Sequence, residues 1–530
     1  MATLLISLLC WCQRTRNRFC SMTTPTETPA SLIIPFDNAY ARLPESCFAK
    51  LAPTPVQTPG LIRFNTELAT ELRISFDDAT DSDIAAIFSG NRLPTQADPL
   101  AMAYCGHQFG QLNPQLGDGR AILLGDLVDV HGQRRDIQLK GSGRTPFSRG
   151  GDGRSPLGPA LREYILCEAM HALGVPTTRA LAVVSSGEPV LRERAEPGAV
   201  FTRVAASHIR VGTFQYFALR QDSEALQALA DHVLERHYPT IDRTADDRYL
   251  QLFSAICQRQ AQLIAQWLQL GFIHGVMNTD NMTVSGETID YGPCAFMDAF
   301  SAGKVFSSID QGGRYAYQNQ SAIGQWNLAR LAEAMLTLFP GDEDESVAAA
   351  TTVLKDFADV HGQAWQQAMG QKLGFGRVEA GDLQRISALL ELLEQGGLDY
   401  TLFFRRLCKV TQPEQDRSDL LALLTLPDCR NSAAMERNLH EWLDEWQQQL
   451  RQREPDPTVV QSRMLAANPA IIPRNHRVAE AIAAAEAGDY SVFENLLAAL
   501  AQPYAELPQF AAYQEPPQPE QRVHRTFCGT

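Results

Sequence analysis

The stretch HGVMNTDN at residues 274–281, followed by DYG at 290–292, constrains this chain more than any other feature. Divalent cations that bridge phosphates bind one or two carboxylate or amide oxygens, so Asn281 and Asp290 are predicted to hold a metal ion together with a nucleotide. Val276 stands at the position where the catalytic loop of a kinase carries the Asp that activates the acceptor hydroxyl. Ordinary phosphoryl transfer to a hydroxyl is therefore in doubt, unless Asp280 has replaced that carboxylate.

The order of motifs along the chain is that of a kinase catalytic core. In kinases a glycine loop, a strand lysine, a helix glutamate, a catalytic loop and an Asp-x-Gly follow one another. Here GDGR at residues 117–120 precedes Lys140, and Glu163 comes before the 274–281 loop. Each motif alone has a plainer interpretation, as a hairpin turn, a solvated strand lysine or a helix-surface acid. Their shared order favours a nucleotide site.

Hydrophobic periodicity divides the chain into two parts. From about residue 30 to 200 it shows strand signals around one helix, and from about 245 onward helical periodicity dominates. Residues 121–130 and 136–140 are predicted to form an antiparallel hairpin. Helices are predicted at 159–173, 245–270, 326–339, 383–407, 436–452 and 477–501. The proline-containing segment after residue 515 is expected to be a loosely held tail.

The predicted strand and the predicted helix of the first part each carry one charged side chain at a candidate position. In the strand, Ile137 and Leu139 point to one face, so Lys140 points to the other. Glu163 lies on a partly apolar helix stripe, where an unpaired carboxylate would destabilise the folded protein by several kcal/mol. We therefore expect Glu163 to have a cationic partner.

Several arginines are candidates for phosphate contacts. The glycine-rich stretch 141–154 contains Arg144, Arg149 and Arg154, which are predicted to meet anionic oxygens if the stretch is not a disordered linker. Arg203 and Arg210 lie at the inferred junction of the two parts. Singly, each is more simply a surface or ion-pair arginine, but as a pair they are predicted to clamp phosphate.

Composition excludes several classes of protein. With 530 residues, 45% hydrophobic and 20% charged, the chain has the composition of a soluble globular protein, and its net charge of -15 argues against nucleic-acid binding. The 11 cysteines show no zinc-type spacing. Residues 2–12 are apolar but too few to span a bilayer, which takes about 20 residues. We predict a cytoplasmic protein with a disordered or over-extended start at 1–29; a mitochondrial transit segment is the alternative.

Nearly all of residues 30–530 resembles the selenoprotein O family, also called the YdiU family. These proteins are adenylyltransferases with a pseudokinase fold. The resemblance is carried by YCGHQFG at 104–110, GDGR at 117–120, LKGSG at 139–143, the stretches at 207–214 and 274–282, DYGP at 290–293 and NP at 468–469.

The resemblance implies that ATP binds inverted relative to kinases, so that a protein hydroxyl attacks the α-phosphorus and pyrophosphate leaves. By the same resemblance, Lys140 and Glu163 form an ion pair, Asp280 accepts the proton, and Asn281 and Asp290 bind Mg²⁺ or Mn²⁺. The residues that it assigns to ATP are Gly117, Gly119, Arg120, Lys140, Asp152, Gly153, Arg203, Arg210 and Asp290.

Some members of the family are thought to pair a residue near the C-terminus with a cysteine beyond the Asp-x-Gly loop. Cys528 matches the first position, but Phe306 stands at the second, and the nearest cysteine is Cys294. A free thiol at Cys528 is the plainer interpretation.

Together these features predict an α+β, bilobal protein-kinase-like fold with a mainly helical C-terminal lobe and extension, divided at 30–205, 206–380 and 381–530. The predicted function is protein adenylyltransfer from ATP to Ser, Thr or Tyr hydroxyls, including self-modification. The alternatives are an unconventional kinase and a non-catalytic ATP-binding scaffold. No nucleic-acid partner and no stable membrane insertion are expected.

Overall fold

The computed structural model describes residues 32–426, 429–430 and 433–526, so the leader expected at 1–29 lies outside it. Its strands are β1 Phe48–Lys50, β2 Gly60–Phe64, β3 Leu100–Met102, β4 Gly106–Gln108, β5 Gln111–Asn113, β6 Ala121–Val128, β7 Arg134–Lys140, β8 Ser155–Pro156, β9 Arg179–Leu191, β10 Ala195–Ala205, β11 Phe272–Ile273 and β12 Ala295–Phe296. Its α-helices are α1 Thr66–Glu71, α2 Asp81–Phe88, α3 Leu157–Ala172, α4 Val211–Arg220, α5 Ser223–His237, α6 Arg248–Leu270, α7 Gln320–Met335, α8 Glu343–Lys372, α9 Asp382–Gly396, α10 Tyr400–Leu407, α11 Ser418–Leu421, α12 Ala433–Arg453, α13 Pro457–Ala467, α14 Asn475–Glu486 and α15 Ser491–Leu500.

The first part of the chain forms one antiparallel sheet with the strand order β1-β3-β6-β7-β10-β9-β2, and β8 pairs beside β10. Helices α1 and α2 pack on one face, and α3 packs against β9 and β10. The prediction of a single helix in this part was therefore wrong. Helices α1 and α2 are too short to show periodicity, and they are signalled instead by the caps at Asn65 and Thr80.

The predicted hairpin is confirmed as β6 and β7, with Ala121 opposite Lys140. Ile137 and Leu139 are buried in the core beneath α1 and α2. Lys140 reaches Glu163 on α3, so its side chain points away from that core, as the alternation predicts. The last residue of β7 therefore delivers a cation to the opposite face of the sheet.

Two predicted helices that position the site are confirmed. Helix α3 begins two residues earlier than predicted, and Gly174 beyond its end has a positive φ of 80°. Helix α6 ends at Gly271, whose left-handed conformation (φ 73°) turns the chain into β11 and the 274–281 loop. A long buried helix thus sets the place where the loop begins.

Other helices differ from the predictions. The segment predicted as one helix at 383–407 is two helices, α9 and α10, separated by Gly397 in the left-handed region and by the N-cap Asp399. The segment at 477–501 is likewise divided, around Gly488 with φ 94°. Apolar residues continue at helical spacing across both breaks, so the sequence pattern did not indicate either break. Helices α4, α5, α8, α11 and α13 were not predicted.

The tail is held more firmly than expected. The Nε of Arg474 donates to the Gln514 carbonyl at 3.0 Å. Farther along, the Thr526 backbone N–H donates to the Phe306 carbonyl at 2.8 Å, and the Ser308 N–H donates to the Thr526 carbonyl at 3.0 Å. The prediction of a loose tail is therefore wrong as far as residue 526. None of the described helices is both long enough and apolar enough to cross a bilayer.

Candidate active site

A cavity of about 610 Å³ opens between the sheet, α3 and the 274–281 loop. Its size is in the range of small-molecule sites, about 300–1,000 Å³. Every site residue that the family resemblance assigns lines it. These residues are Gly117, Gly119, Arg120, Lys140, Asp152, Gly153, Glu163, Arg203, Arg210, Asp280, Asn281 and Asp290.

Three elements meet in a buried charge cluster at the floor of the cavity. The Lys140 Nζ lies 2.5 Å from the Glu163 Oε2, and the Arg203 Nη1 donates to the Glu163 Oε1 at 3.0 Å. Residues Lys140 and Phe201 are register partners on β7 and β10, which places Arg203 two residues along β10 on the same face. The expected cationic partner of Glu163 is thus confirmed, and a second one is present.

The Asp290 carboxylate forms ion pairs with three cationic side chains. Its Oδ1 lies 2.6 Å from the Arg203 Nη1 and 3.4 Å from the Lys140 Nζ, and its Oδ2 lies 2.6 Å from the Arg210 Nη1. Burial alone would raise the pKa of Asp290, but the charges of Arg210, Arg203 and Lys140 hold the pKa well below its usual value. Asp290 is therefore ionised at any physiological pH.

The two arginines are almost fully buried, Arg203 being 1% and Arg210 4% exposed. The Nε of each has no hydrogen-bond partner within the described residues. The Arg210 guanidinium also lies 4.6 Å from the centre of the Tyr104 ring. Both arginines line the cavity, and guanidinium groups are suited to anionic oxygens, so this end of the cavity fits phosphate groups.

Asp280 is held differently from Asp290. Its side chain is buried, its Oδ2 accepts from the Gln108 Nε2 at 3.1 Å, and its backbone carbonyl accepts from Arg210 at 2.6 Å. Burial raises the pKa of Asp280 to about 6, and the Gln108 hydrogen bond and the Arg210 charge act against that rise. A carboxylate with such a pKa can accept a proton near neutral pH.

The residues predicted to bind metal fit a cation that also contacts phosphate. The Asn281 Nδ2 donates to the Val276 carbonyl at 3.0 Å, which leaves the amide oxygen as the available donor to a cation. With the Asp290 carboxylate it supplies the one or two protein oxygens that Mg²⁺ usually takes beside phosphate. Within the described ranges no three His, Cys, Asp or Glu side chains form a metal cluster of their own.

His274 is buried and supports the loop. Its Nε2 is 2.8 Å from the Ile289 carbonyl, next to Asp290, and burial lowers its pKa. A neutral ring that donates to Ile289 joins the 274–281 loop to the segment that carries Asp290. Through this contact His274 fixes the loop relative to Asp290.

The glycine loop and the 141–154 stretch pack on each other. A side chain at Gly117 would lie 2.3 Å from the Phe147 ring, and one at Gly119 would lie 2.9 Å from the Phe147 carbonyl. Only glycine permits this approach. Arg149 and Arg154 line the cavity, whereas Arg144 is exposed and does not, contrary to its predicted place.

Several lining residues were missed by the sequence analysis. They are Tyr104, Gln108, Phe147, Arg192 and Ile309. Gln108 lies in the YCGHQFG motif, which was noted but given no role. Arg192 reaches the cavity from the β9–β10 turn, where its Nη1 contacts the Asp152 Oδ2 at 2.8 Å. No local pattern distinguishes such an arginine from a surface one.

The cysteine prediction falls partly outside the structure, because Cys528 is not among the described residues. Phe306 and Cys294 are both buried. The Thr526 hydroxyl donates to the Pro293 carbonyl, so the tail passes beside Cys294. The free thiol expected at Cys528 therefore stays a prediction.

Comparison with known proteins gives a consistent result. The sequence model of the family described as "Protein adenylyltransferase SelO" matches residues 31–501. A protein of Rhizobium johnstonii named "Protein nucleotidyltransferase YdiU" is 56% identical over 500 residues, covering 94% of this chain and 97% of the relative. Proteins of the same name from Rhizobium meliloti and Agrobacterium fabrum are 55% and 53% identical, and each alignment covers 93% of this chain and 99% of the relative.

Proposed function

This chain belongs to the SelO family of protein adenylyltransferases, and we propose that it transfers AMP from ATP to Ser, Thr or Tyr hydroxyls of proteins with release of pyrophosphate. As a nucleotidyltransferase it breaks the bond between the α- and β-phosphates of the donor. A kinase breaks the bond to the terminal phosphate instead. The position of the outer phosphates therefore decides between the two reactions.

The observation that carries the proposal is the pair of buried guanidinium groups of Arg203 and Arg210. Both line the cavity, are almost fully buried and lie 2.6 Å from the Asp290 carboxylate. Outer phosphates held there would point inward, and the α-phosphorus would lie nearer the Asp280 side. An incoming hydroxyl could then attack the α-phosphorus, with pyrophosphate retained by the arginines.

We assign the remaining residues by their contacts. The backbone of the Gly117 and Gly119 loop would hold the nucleotide with Arg120, Asp152 and Gly153 around it. Asn281 and Asp290 would hold Mg²⁺ or Mn²⁺, which neutralises phosphate charge when bound. Lys140, fixed by Glu163, would keep the charge cluster in place.

The proton of the acceptor hydroxyl is assigned to Asp280. The carboxylate lines the cavity, and its pKa of about 6 leaves it mostly ionised at neutral pH while still basic enough to accept a proton. The oxygen of the hydroxyl then forms the new bond to phosphorus.

We further propose that the sheet and α3 form the N-terminal lobe of a bilobal kinase-like fold at 30–205. A second lobe would cover 206–380, and the helical extension 381–530. In this arrangement the cavity lies between the lobes, as nucleotide sites commonly do at domain junctions.

The proposal is tested with ATP labelled at the α- or the γ-phosphate. Incubation of the chain with metal and ATP is expected to label protein from α-labelled ATP only. Intact mass then rises by one adenylate, and Asp280→Asn is the inactive control. Transfer of γ-label would indicate an unconventional kinase. If neither label moves while ATP binds, the chain is a scaffold, and the proposal is wrong.

A further inference from the structure

The loop at residues 309–315 lies at the rim of the cavity. Ile309 is 61% exposed, and among the described residues that line the cavity it is the only exposed large apolar side chain. The Asp310 carboxylate accepts from the Arg314 N–H at 2.9 Å and from the Tyr315 N–H at 2.8 Å. These bonds use the backbone of the loop, so they do not depend on which side chain residue 314 carries.

This loop is joined to the catalytic loop. The Tyr315 hydroxyl donates to the Asn278 Oδ1 at 2.5 Å, and the Phe109 N–H, after the end of β4, donates to the same oxygen at 3.1 Å. The centres of the Tyr315 and Phe109 rings are 5.1 Å apart. Asn278 is two residues before Asp280, so the 309–315 loop lies next to the proposed proton acceptor.

The Arg314 guanidinium is held by packing. It lies 4.8 Å from the centre of the Trp326 ring and 5.7 Å from that of the Tyr315 ring. On a third side, a Cβ added to Gly110 would lie 3.7 Å from its nitrogens. Such packing restricts the side chain before a partner arrives, so less conformational entropy is lost when the guanidinium binds an anion.

The charge of Arg314 has no carboxylate partner within the described residues. Its neighbour Arg330, which lies 5.1 Å from the same Trp326 ring, forms an ion pair with Glu333 at 2.6 Å. Asp310 uses both of its carboxylate oxygens to accept backbone N–H groups. Arg314 is half-buried and does not line the cavity, so its charge is available to a partner outside the nucleotide site.

We propose that Arg314, Ile309 and Trp326 form a docking site for the acceptor protein, and that the site binds a segment with a carboxylate close to the hydroxyl that receives AMP. The inference rests on the proposed function. When a hydroxyl lies at Asp280, neighbouring residues of the acceptor lie over the 309–315 loop. A guanidinium selects a carboxylate there, because two parallel N–H donors fit its two oxygens.

The charge of the whole chain limits where the acidic residues of the acceptor are expected. The chain has a net charge of -15, which disfavours the approach of a protein that is acidic throughout. We therefore expect the acidic residues to be confined to the segment around the hydroxyl.

Short synthetic peptides test the site. Each carries a fluorescent label and one Ser, Thr or Tyr, flanked on both sides by Glu, by Gln or by Lys. Binding to the full chain is measured by fluorescence anisotropy with Mg²⁺ and α,β-methylene ATP, which cannot release AMP. The Glu peptides should bind the wild type about fivefold more tightly than the Gln peptides, the upper value for one partly exposed ion pair, and the Lys peptides should bind more weakly than both.

Charge reversal separates docking from a structural role. Arg314→Glu should bind the Lys peptides more tightly than the Glu peptides, which is the reverse of the wild-type order. Arg314→Gln should reduce the preference for Glu over Gln peptides to less than about twofold. Arg437→Glu is the matched control, because Arg437 is exposed on α12 and does not line the cavity, and it should keep the wild-type order.

The same preference is expected in transfer from ATP labelled at the α-phosphate. In Arg314→Gln the KM for the Glu peptides should rise by about fivefold, whereas the KM for ATP should stay unchanged because Arg314 does not line the cavity. Circular dichroism checks that the variants fold, and Arg314→Gln decides if Arg314→Glu does not.

Several results would overturn the inference and leave the proposed function standing. They are equal binding of all the peptides by the wild type, binding of none of them, and a folded Arg314→Glu that keeps the wild-type order or loses affinity for all the peptides alike. Absence of α-label transfer to any protein or peptide by the wild type overturns the proposed function instead, and the order of peptide binding can still be measured.

Discussion

Asp280 and Asp290 share one cavity but have opposite titration behaviour. The pKa of Asp280 is raised to about 6 by burial, whereas the charges of Arg210, Arg203 and Lys140 hold that of Asp290 well below the usual range. Such a separation allows one carboxylate to exchange protons while its neighbour keeps its charge. We therefore expect Asp280 to take part in proton transfer and Asp290 to bind cations through its charge.

This separation predicts the pH dependence of the wild type. A folded-state pKa near 6 means that Asp280 gains its proton as the pH falls through that value, so AMP transfer should decline below about pH 6. Asp290 stays ionised over the same interval, so nucleotide binding should not decline. Rates and equilibrium binding are measured at the same pH values. A parallel loss of both would contradict the assignment.

Removal of Asp290 should have a broader effect than removal of Asp280. We expect Asp290→Ala to lose both metal-dependent ATP binding and transfer, because the variant lacks the charged oxygen donor. Asp280→Asn should bind ATP and metal but transfer no AMP. Calorimetry with and without chelator, followed by the labelling assay, distinguishes the two. Normal transfer by Asp290→Ala would remove this residue from the site.

Arg203 and Arg210 are expected to contribute to the binding of ATP, which has phosphates, much more than to the binding of adenosine. Arg203→Ala and Arg210→Ala should weaken ATP binding by at least about tenfold, since hydrogen bonds to charged groups contribute about 1.5–3 kcal/mol. Their affinity for adenosine should change much less. Arg144→Ala is the control from the arginine-rich stretch, because Arg144 is exposed and does not line the cavity. Equal losses for ATP and adenosine would argue against a phosphate clamp.

At the scale of elements, β4 has a strict requirement for glycine. Gly106 has no positive φ, but a Cβ there would lie 2.2 Å from the Asp280 Oδ1. Gly106→Ala should displace the carboxylate and reduce AMP transfer strongly while most of the fold is retained. Circular dichroism and the transfer assay check the two parts of this prediction.

Gly362→Ala on α8 is the control, because nothing lies within 4 Å of its added methyl group. That substitution should leave transfer unchanged and stabilise the protein by up to about 1 kcal/mol, since alanine is the better helix former. Equal activity losses in the two variants would show that the effect is not specific to β4.

The elements also show what a single sequence can predict. The β6–β7 hairpin and the helix before the 274–281 loop were predictable because alternation, helical spacing and Gly271 agree with one another. The breaks at Gly397 and Gly488 were not, because apolar residues continue at helical spacing on both sides. The site residues that carry motifs were predicted to lie together, and they do. Gln108 and Arg192 were missed because only the folded chain brings them to the cavity.

At the scale of the whole molecule, Arg474 joins distant parts of the chain. It is 1% exposed, and its guanidinium contacts Asp399 at 2.8 Å, as well as Asp298 and the Gln514 carbonyl. It therefore connects the start of α14 to the N-cap of α10, to the segment after β12 and to the tail. Loss of this side chain would leave the buried carboxylate of Asp399 and the partly exposed carboxylate of Asp298 without this cation.

Arg474→Ala should lower the free energy of unfolding by about 3–5 kcal/mol, the usual effect of breaking a buried ion pair. Arg243→Ala removes one member of an exposed pair with Glu235 and should change stability by less than about 1 kcal/mol. Urea unfolding followed by fluorescence compares the two. Similar losses of unfolding free energy in the two variants would mean that the buried Arg474 contributes little to stability.

The bridge from Thr526 to Phe306 and Ser308 has a practical consequence for handling the enzyme. Ile309 lines the cavity and directly follows Ser308 in the sequence. Thr526 is connected to the helical part of the chain by the surface segment after Tyr513. A protease nick in that segment would remove very little mass and none of the α-helices of the described residues, yet it would free the cavity wall from its support. Preparations that look identical on a gel would then differ in specific activity, and the cause would lie at the tail rather than in the catalytic loop.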